Sequence, residues 1–248
     1  MRGPRVALFI TCLADQIYPE VGLSTLRLLK RLGCRVDFPE AQLCCGQPAF
    51  NSGYVEEARA VARSLLEAFE SAEYVVSPSG SCAGMIRHYY GELFAFAPDL
   101  AERAEALARK TYDLSQFLVQ VLGVSDVGAR FPHRVTYHAS CHGARLLGVK
   151  EEPLALLSKV SGLELVPLVR CEDCCGFGGT FSVKLASISG AMVDEKVDHV
   201  LRTNAEYLVG TDMGCLMNIS GRLERRGAKV GVLHLAQVLD SVKDEARA

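Results

Sequence analysis

Three cysteines fall within five residues in the stretch CEDCCGFGGTF, at Cys171, Cys174 and Cys175, and three glycines follow within four. Adjacent cysteines such as Cys174 and Cys175 are poor disulfide partners, because the eight-membered ring they would close strains the peptide. As thiolates they are soft donors, suited to zinc, copper(I) or iron–sulfur clusters. Glycines beside them let backbone come close where a side chain would block it. The same CCG occurs earlier as Cys44, Cys45 and Gly46. A lone cysteine precedes each pair, Cys12 or Cys141, and another follows it, Cys82 or Cys215. The two series are displaced by 129, 130 and 133 residues, and DLSQFL at 113–118 echoes HLAQVL at 234–239. The chain therefore reads as an internal repeat carrying two matched sets of four cysteines.

Four thiolates repel one another unless a cation holds them, so each set reads as a cluster or metal site. Structural zinc is the rival reading, since four cysteines also make a tetrahedral zinc set; zinc sites usually pair ligands as CxxC, whereas these pairs are CC. Cys171 forms a CxxC with Cys174 but has no counterpart in the first repeat, and a spare ligand, a redox partner and a buried thiol all fit it. His142 follows Cys141 and His138 lies three residues before it; either ligates, donates a hydrogen bond or packs. Ser79, Ser81, Asp212 and Asn218 stand near the closing cysteines, where capping and turn formation are the ordinary roles. Lys184, Arg145 and Arg170 offer countercharge, with solvated positions as the default. Cys34 reads as a small buried hydrophobe.

These residues need elements to hold them. Short β-branched and apolar runs predict strands at 6–10, 36–38, 74–76, 134–138, 165–168, 207–210 and 229–233. Helical spacing predicts helices at 19–32, 84–91, 153–160 and 181–204, one within 98–113, and one to about Ser71 capped by Asn51 or Ser52. Alternating strands and helices predict an α/β fold of two pseudo-repeated three-layer units, 1–125 and 130–248, each with a mainly parallel sheet. Ligands of such sheets sit at the carboxyl ends of strands. All eight cysteines fall there, on loops: Cys12, Cys44, Cys45 and Cys82, then Cys141, Cys174, Cys175 and Cys215. Helices starting near Ser52 and Phe181 would aim their amino-terminal dipoles at the thiolates.

Of 248 residues, 49% are apolar and 23% charged, enough for a buried core, and the net charge of −2 gives no electrostatic case for nucleic acid. No apolar run approaches the roughly 18 residues of a membrane span. MRGPRVALFITC mimics a lipoprotein signal, but Val6–Ile10 is shorter than a secretory core and reads as a buried strand. Ten clustered cysteines without an export signal predict metal or redox use in the cytoplasm. No GxGxxG dinucleotide fingerprint or flavin motif is present, so an electron carrier rather than a dehydrogenase is expected.

With both sets in hand, SPSGSCAGM (77–85), YHASCHGARLLGVKEEP (137–153), CCGFGGTFSVK (174–184) and TDMGCLMN (211–218) resemble the cysteine-rich (CCG) domain family. That family includes the B subunit of heterodisulfide reductase and the iron–sulfur subunit of glycolate oxidase, and the likeness is greatest to its lactate-utilisation branch. The family's full motif ends in CxxC. Here one member is missing from each set, replaced by Met85 and Asn218, or by Ser79 and Asp212, depending on the alignment. The full set implies a noncubane cluster that reacts with disulfides. Four cysteines imply a simpler 4Fe–4S cluster in one or both sites, zinc in one site, or a cluster with an open or oxygen-ligated iron. The resemblance implies electron transfer in the oxidation of L-lactate to pyruvate with two other lactate-utilisation subunits, one ferredoxin-like. The electrons would pass onward to a quinone or membrane carrier. A zinc protein and a heterodisulfide reductase-like thiol–disulfide subunit are the alternatives.

Overall fold

The computed structural model describes residues 3–242. Eight strands form two four-stranded sheets: β1 (Arg5–Leu8), β2 (Arg35–Asp37), β3 (Tyr74–Ser77) and β4 (Thr111–Asp113), then β5 (Arg134–His138), β6 (Glu164–Val166), β7 (Tyr207–Gly210) and β8 (Gly231–His234). All pairings are parallel, and the strand orders β2-β1-β3-β4 and β6-β5-β7-β8 are the same arrangement twice. The repeat extends to register. Val6 pairs with Val36 and Tyr74, as Val135 pairs with Leu165 and Tyr207.

Successive strand residues face opposite sides of a sheet. In the first unit Val6, Leu8 and Val76 enter one core, while Ala7, Phe9 and Val75 enter another. The second is closed by helices Val55–Ala68, Gly80–Leu93 and Pro98–Lys110. The first, faced by helix Pro19–Arg31 through Leu28 and Leu29, runs on without a break into Val135, Leu208 and Leu235 of the second unit. The shared core is why the boundary between 1–125 and 130–248 stays a proposal, since each domain normally closes its own core. The ends 1–2 and 243–248 lie outside the described residues.

The units also exchange helices. Leu235–Asp240 packs on Pro19–Arg31, where Asp240 accepts from Arg27 Nε at 2.6 Å and Arg31 Nη1 at 3.1 Å. Reciprocally, helix Leu114–Gln116 lies against helix Glu151–Ser158. No helix among the described residues is long and apolar enough to cross a membrane.

Four local expectations change. Thr111–Asp113, absorbed into a helix by its charged approach, is an edge strand. Asn51 and Ser52 do not cap the long helix: they end a short helix, Gln47–Asn51, that starts directly after Gly46, and the next begins at Val55 behind Tyr54. Residues 181–204 are two helices, Phe181–Lys184 and Ala186–Arg202, broken where Leu185 leaves helical geometry at ψ 48°. Cys12, Cys141, Cys82 and Cys215 sit in the first turns of helices rather than on loops, each helix starting soon after its strand.

Candidate metal centre

The CCG turns follow from sterics. Gly46 has φ 83° and Gly176 φ 84°, the left-handed region that favours glycine. A Cβ on Gly46 would lie 3.2 Å from the Ala58 carbonyl oxygen, and one on Gly176 2.7 Å from that of Ser189. The glycine thus lets each cysteine pair press onto the helix that follows. It also folds amides back onto sulfur: Gly46 N lies 3.5 Å from Cys44 Sγ, Gly176 N 3.4 Å from Cys174 Sγ and Phe177 N 3.5 Å from Cys175 Sγ. The carbonyl of the second cysteine is satisfied in both units, by Tyr90 Oη on Cys45 (3.0 Å) and by Asn218 Nδ2 on Cys175 (2.8 Å). Asn218 is thereby engaged with backbone.

In the first set Cys12 Sγ stands 3.7 Å from Cys44 Sγ, and Cys45 Sγ 3.3 Å from Cys82 Sγ. In the second set Cys175 and Cys215 Sγ lie within 4.8 Å of each other, and Cys141 and Cys174 line the same cavity. All eight are free thiols. The Cys12 thiol donates to Cys44, and the thiols of Cys12 and Cys45 beside Cys44, like those of Cys141 and Cys175 beside Cys174, hold both far below the ordinary cysteine range against the opposing effect of burial. Cys12, Cys45, Cys141 and Cys175 are pushed up by those same contacts and by desolvation.

One cavity, with about 120 Å³ of room for water-sized spheres, is lined by all eight of these cysteines together with His142, Phe177 and Asp212. The two sets therefore face a common space between the units. Asp212 ties its walls together: Oδ1 accepts from Gly214 N at 3.1 Å, capping its own helix, and Oδ2 accepts from Ser79 Oγ at 3.0 Å and Ser81 N at 2.9 Å in the other unit. Ser79 in turn caps the Cys82 helix, accepting from Cys82 N at 3.3 Å.

His142 Nδ1 approaches Cys141 Sγ at 3.5 Å. Cys171 is not drawn in: its side chain lines a separate cavity with Tyr137 and Leu168. His138, at the end of β5, is 1% exposed, and a ring nitrogen lies with Cys175 and Cys215 Sγ in a group mutually within 4.8 Å. Burial first, then Lys196, lowers its pKa to about 4; the Cys171 carbonyl faces the ring without reaching bonding geometry. Lys196 is 2% exposed and donates to the carbonyls of Arg170 (2.6 Å) and Cys171 (3.3 Å). Its place behind the second set was invisible in a helical pattern read alone. Superposing the repeats exposes it. Ala58 and Ser189 face the two CCG glycines, a displacement of 131, which sets Lys196 opposite the fully buried Leu65.

A family model described as "Cysteine-rich domain" matches residues 6–87 and 135–220. A protein of Geobacillus thermodenitrificans named Lactate utilization protein A is 57% identical over 236 residues, covering 95% of this chain and 98% of that protein. Lactate utilization protein A 2 of Bacillus cereus is 53% identical over 235 residues, 95% of this chain and 97% of its own. Among solved structures, a hypothetical protein from Helicobacter pylori shares the fold with a TM-score of 0.65 at 12% identity, over 96% of this chain and 50% of that one.

Proposed function

The chain belongs to the cysteine-rich (CCG) domain family, and to the branch of its lactate-utilisation relatives, and from that premise we propose an iron–sulfur electron-carrying subunit that serves the oxidation of L-lactate to pyruvate. The observation that carries the reading is that two four-thiol sets, with one amide N–H directed at sulfur in the first and two in the second, open onto one cavity. Eight unbridged soft donors fit thiolate-ligated iron, and N–H groups on ligand sulfur tune reduction potential. A cluster bound there gives and takes single electrons. The protein's own part is to supply ionised ligands, led by Cys44 and Cys174, and to bury Cys45, Cys82, Cys175 and Cys215 beside them. In this reading, which rests on the resemblance to the lactate-utilisation relatives, lactate is oxidised with two partner subunits, one of them ferredoxin-like, and this chain passes the electrons on.

Zinc is the second reading, favoured by sulfur spacing. Four thiolates at about 2.3 Å from one zinc stand about 3.8 Å apart, close to the 3.7 Å between Cys12 and Cys44. A four-iron cluster spreads its ligands wider. Zinc takes no electrons and would make the chain structural or regulatory.

The test is anaerobic purification and reconstitution, followed by iron and sulfide analysis and absorbance near 400 nm. Iron with matching sulfide, reduced by lactate once the partner subunits are added, is the expected result. Stoichiometric zinc that survives reconstitution selects the second reading, and a chain that holds neither metal overturns both.

A further inference from the structure

We propose that His138 is a nitrogen ligand of the metal centre in the second unit, and that the first unit has no such ligand. The proposal rests on the reading of the cysteines as metal ligands and says how the two centres differ.

His138 closes β5 three residues before Cys141, and its side chain is sealed from solvent. Neither ring nitrogen has a hydrogen-bond partner. Each buried polar atom left unsatisfied costs on the order of 1–3 kcal/mol, so two on one ring call for a reason. Its surroundings supply one. A ring nitrogen, Cys175 Sγ and Cys215 Sγ all lie within 4.8 Å of one another. Ligand atoms of a single four-coordinate ion, with nitrogen at about 2.0–2.1 Å and sulfur at about 2.3 Å, stand roughly 3.5–3.8 Å apart. The three atoms, with 4.8 Å as the upper limit of their separations, already lie near that spacing. An imidazole nitrogen brought onto the metal loses its orphan status.

The first unit shows what the place holds when no ligand is needed. Val6 and Val135 occupy equivalent positions in the two sheets, which sets Phe9 opposite His138. Phe9 is fully buried and meets Phe69 edge-to-face at 5.5 Å, a purely apolar backing for Cys45 and Cys82. Behind the second set the neighbouring position is polar too, Lys196 standing where the first unit has Leu65. Two substitutions of core residues by nitrogen-bearing ones, both behind the same cysteines, separate this site from its twin. Two of the three Lys196 donors go to backbone carbonyls, and none goes to the imidazole, which leaves the ring free to face sulfur.

The experiment uses the full chain, produced with 15N-labelled histidine, loaded anaerobically with iron and sulfide and examined in the reduced state by pulsed electron paramagnetic resonance. The expected result is a strongly coupled histidine nitrogen, lost in His138→Phe and kept in His142→Ala. If the Phe variant does not fold, the wild-type and His142→Ala spectra together decide the matter. Where the bound metal is zinc, zinc-edge X-ray absorption replaces resonance, and imidazole back-scattering lost in His138→Phe is the equivalent outcome. A metal-loaded chain without histidine nitrogen, or one whose signal follows His142, overturns His138 as ligand while leaving the cysteine sites standing. A chain that takes up neither metal overturns both.

Discussion

Asp212 of the second unit reaches across the interface to Ser79 of the first, its Oδ2 accepting from Ser79 Oγ at 3.0 Å while Oδ1 caps its own helix at Gly214 N. One carboxylate thus orders the first turns that carry both closing cysteines, Cys82 and Cys215. Ser79 and Asp212 are also one of the two pairs of positions, Met85 and Asn218 being the other, at which this chain has no cysteine where the family's full motif has one, and both oxygens of Asp212 are already engaged. Asp212→Ala strands three buried or half-buried donors. Hydrogen bonds to a charged acceptor contribute about 1.5–3 kcal/mol each, and losses within one network are not additive. A drop of about 2–4 kcal/mol in unfolding free energy is expected in urea titration of the metal-free chain, with Ser79→Ala costing less. A midpoint equal to wild type would show that the bridge contributes nothing.

Because the cysteines divide into two sets that share a cavity but no ligand contact, metal content should divide too. Cys45→Ser and Cys175→Ser are each expected to lower bound metal by about half, and the double variant to abolish it. Cys171→Ser, whose thiol lies in another cavity, leaves metal content at the wild-type value. Metal analysis after anaerobic reconstitution checks all four, and half-loss in Cys171→Ser would move that residue into the site.

Much of this was legible in the chain. Cysteine displacements of 129, 130 and 133 predicted a doubled α/β fold, and two copies of one parallel sheet order are found. Val6–Ile10 and Tyr207–Gly210 announced themselves as apolar runs. Thr111–Asp113 did not, because an edge strand of three residues with one aromatic, Tyr112, after a charged helix is too short to show an alternation. The Asn51 and Ser52 caps failed because Gly46 and Pro48 start a helix of their own one turn earlier. The site's polar backing was hidden for a different reason. Lys196 and His138 look like surface residues until their buried twins, Leu65 and Phe9, are set beside them.

Lys196 also sets a difference in potential. Its ammonium is buried near Cys171, Cys175 and Cys215 and would favour the more negative, reduced state of a cluster there. Lys196→Leu, which copies the first unit, is expected to shift the midpoint potential of the second centre downward and leave the first where it was. Redox titration in a Cys45→Ser background isolates the second centre. An unchanged or raised potential would show that the ammonium is not felt at the cluster.

The helix caps at the ends of β4 and β8 give an acid-range prediction. Asp113 and His234 occupy matching positions, Asp113 accepting from Ser115 N at 2.8 Å and His234 Nδ1 from Ala236 N at 3.0 Å. Burial lowers the His234 pKa from 6.5 to about 4, opposed by the Thr211 and Pro78 carbonyls and by Asp212. The folded state therefore binds this proton less readily than the unfolded chain. The stabilisation is complete above pH 6.5 and is lost as pH falls toward 4, at a cost of about 2 kcal/mol by pH 5. Asp113 works in the opposite sense: burial raises its pKa to about 6, so its contribution is full below pH 3.8 and is lost as pH rises through 6. The two partly cancel between pH 4 and 6, which hides either in the wild-type profile. His234→Asn keeps a capping acceptor and removes the titration. The difference in stability between His234→Asn and wild type should move in the variant's favour by about 2 kcal/mol between pH 7.5 and pH 5, measured by urea denaturation at each pH, and a difference that stays flat would mean that His234 is protonated as easily in the fold as out of it.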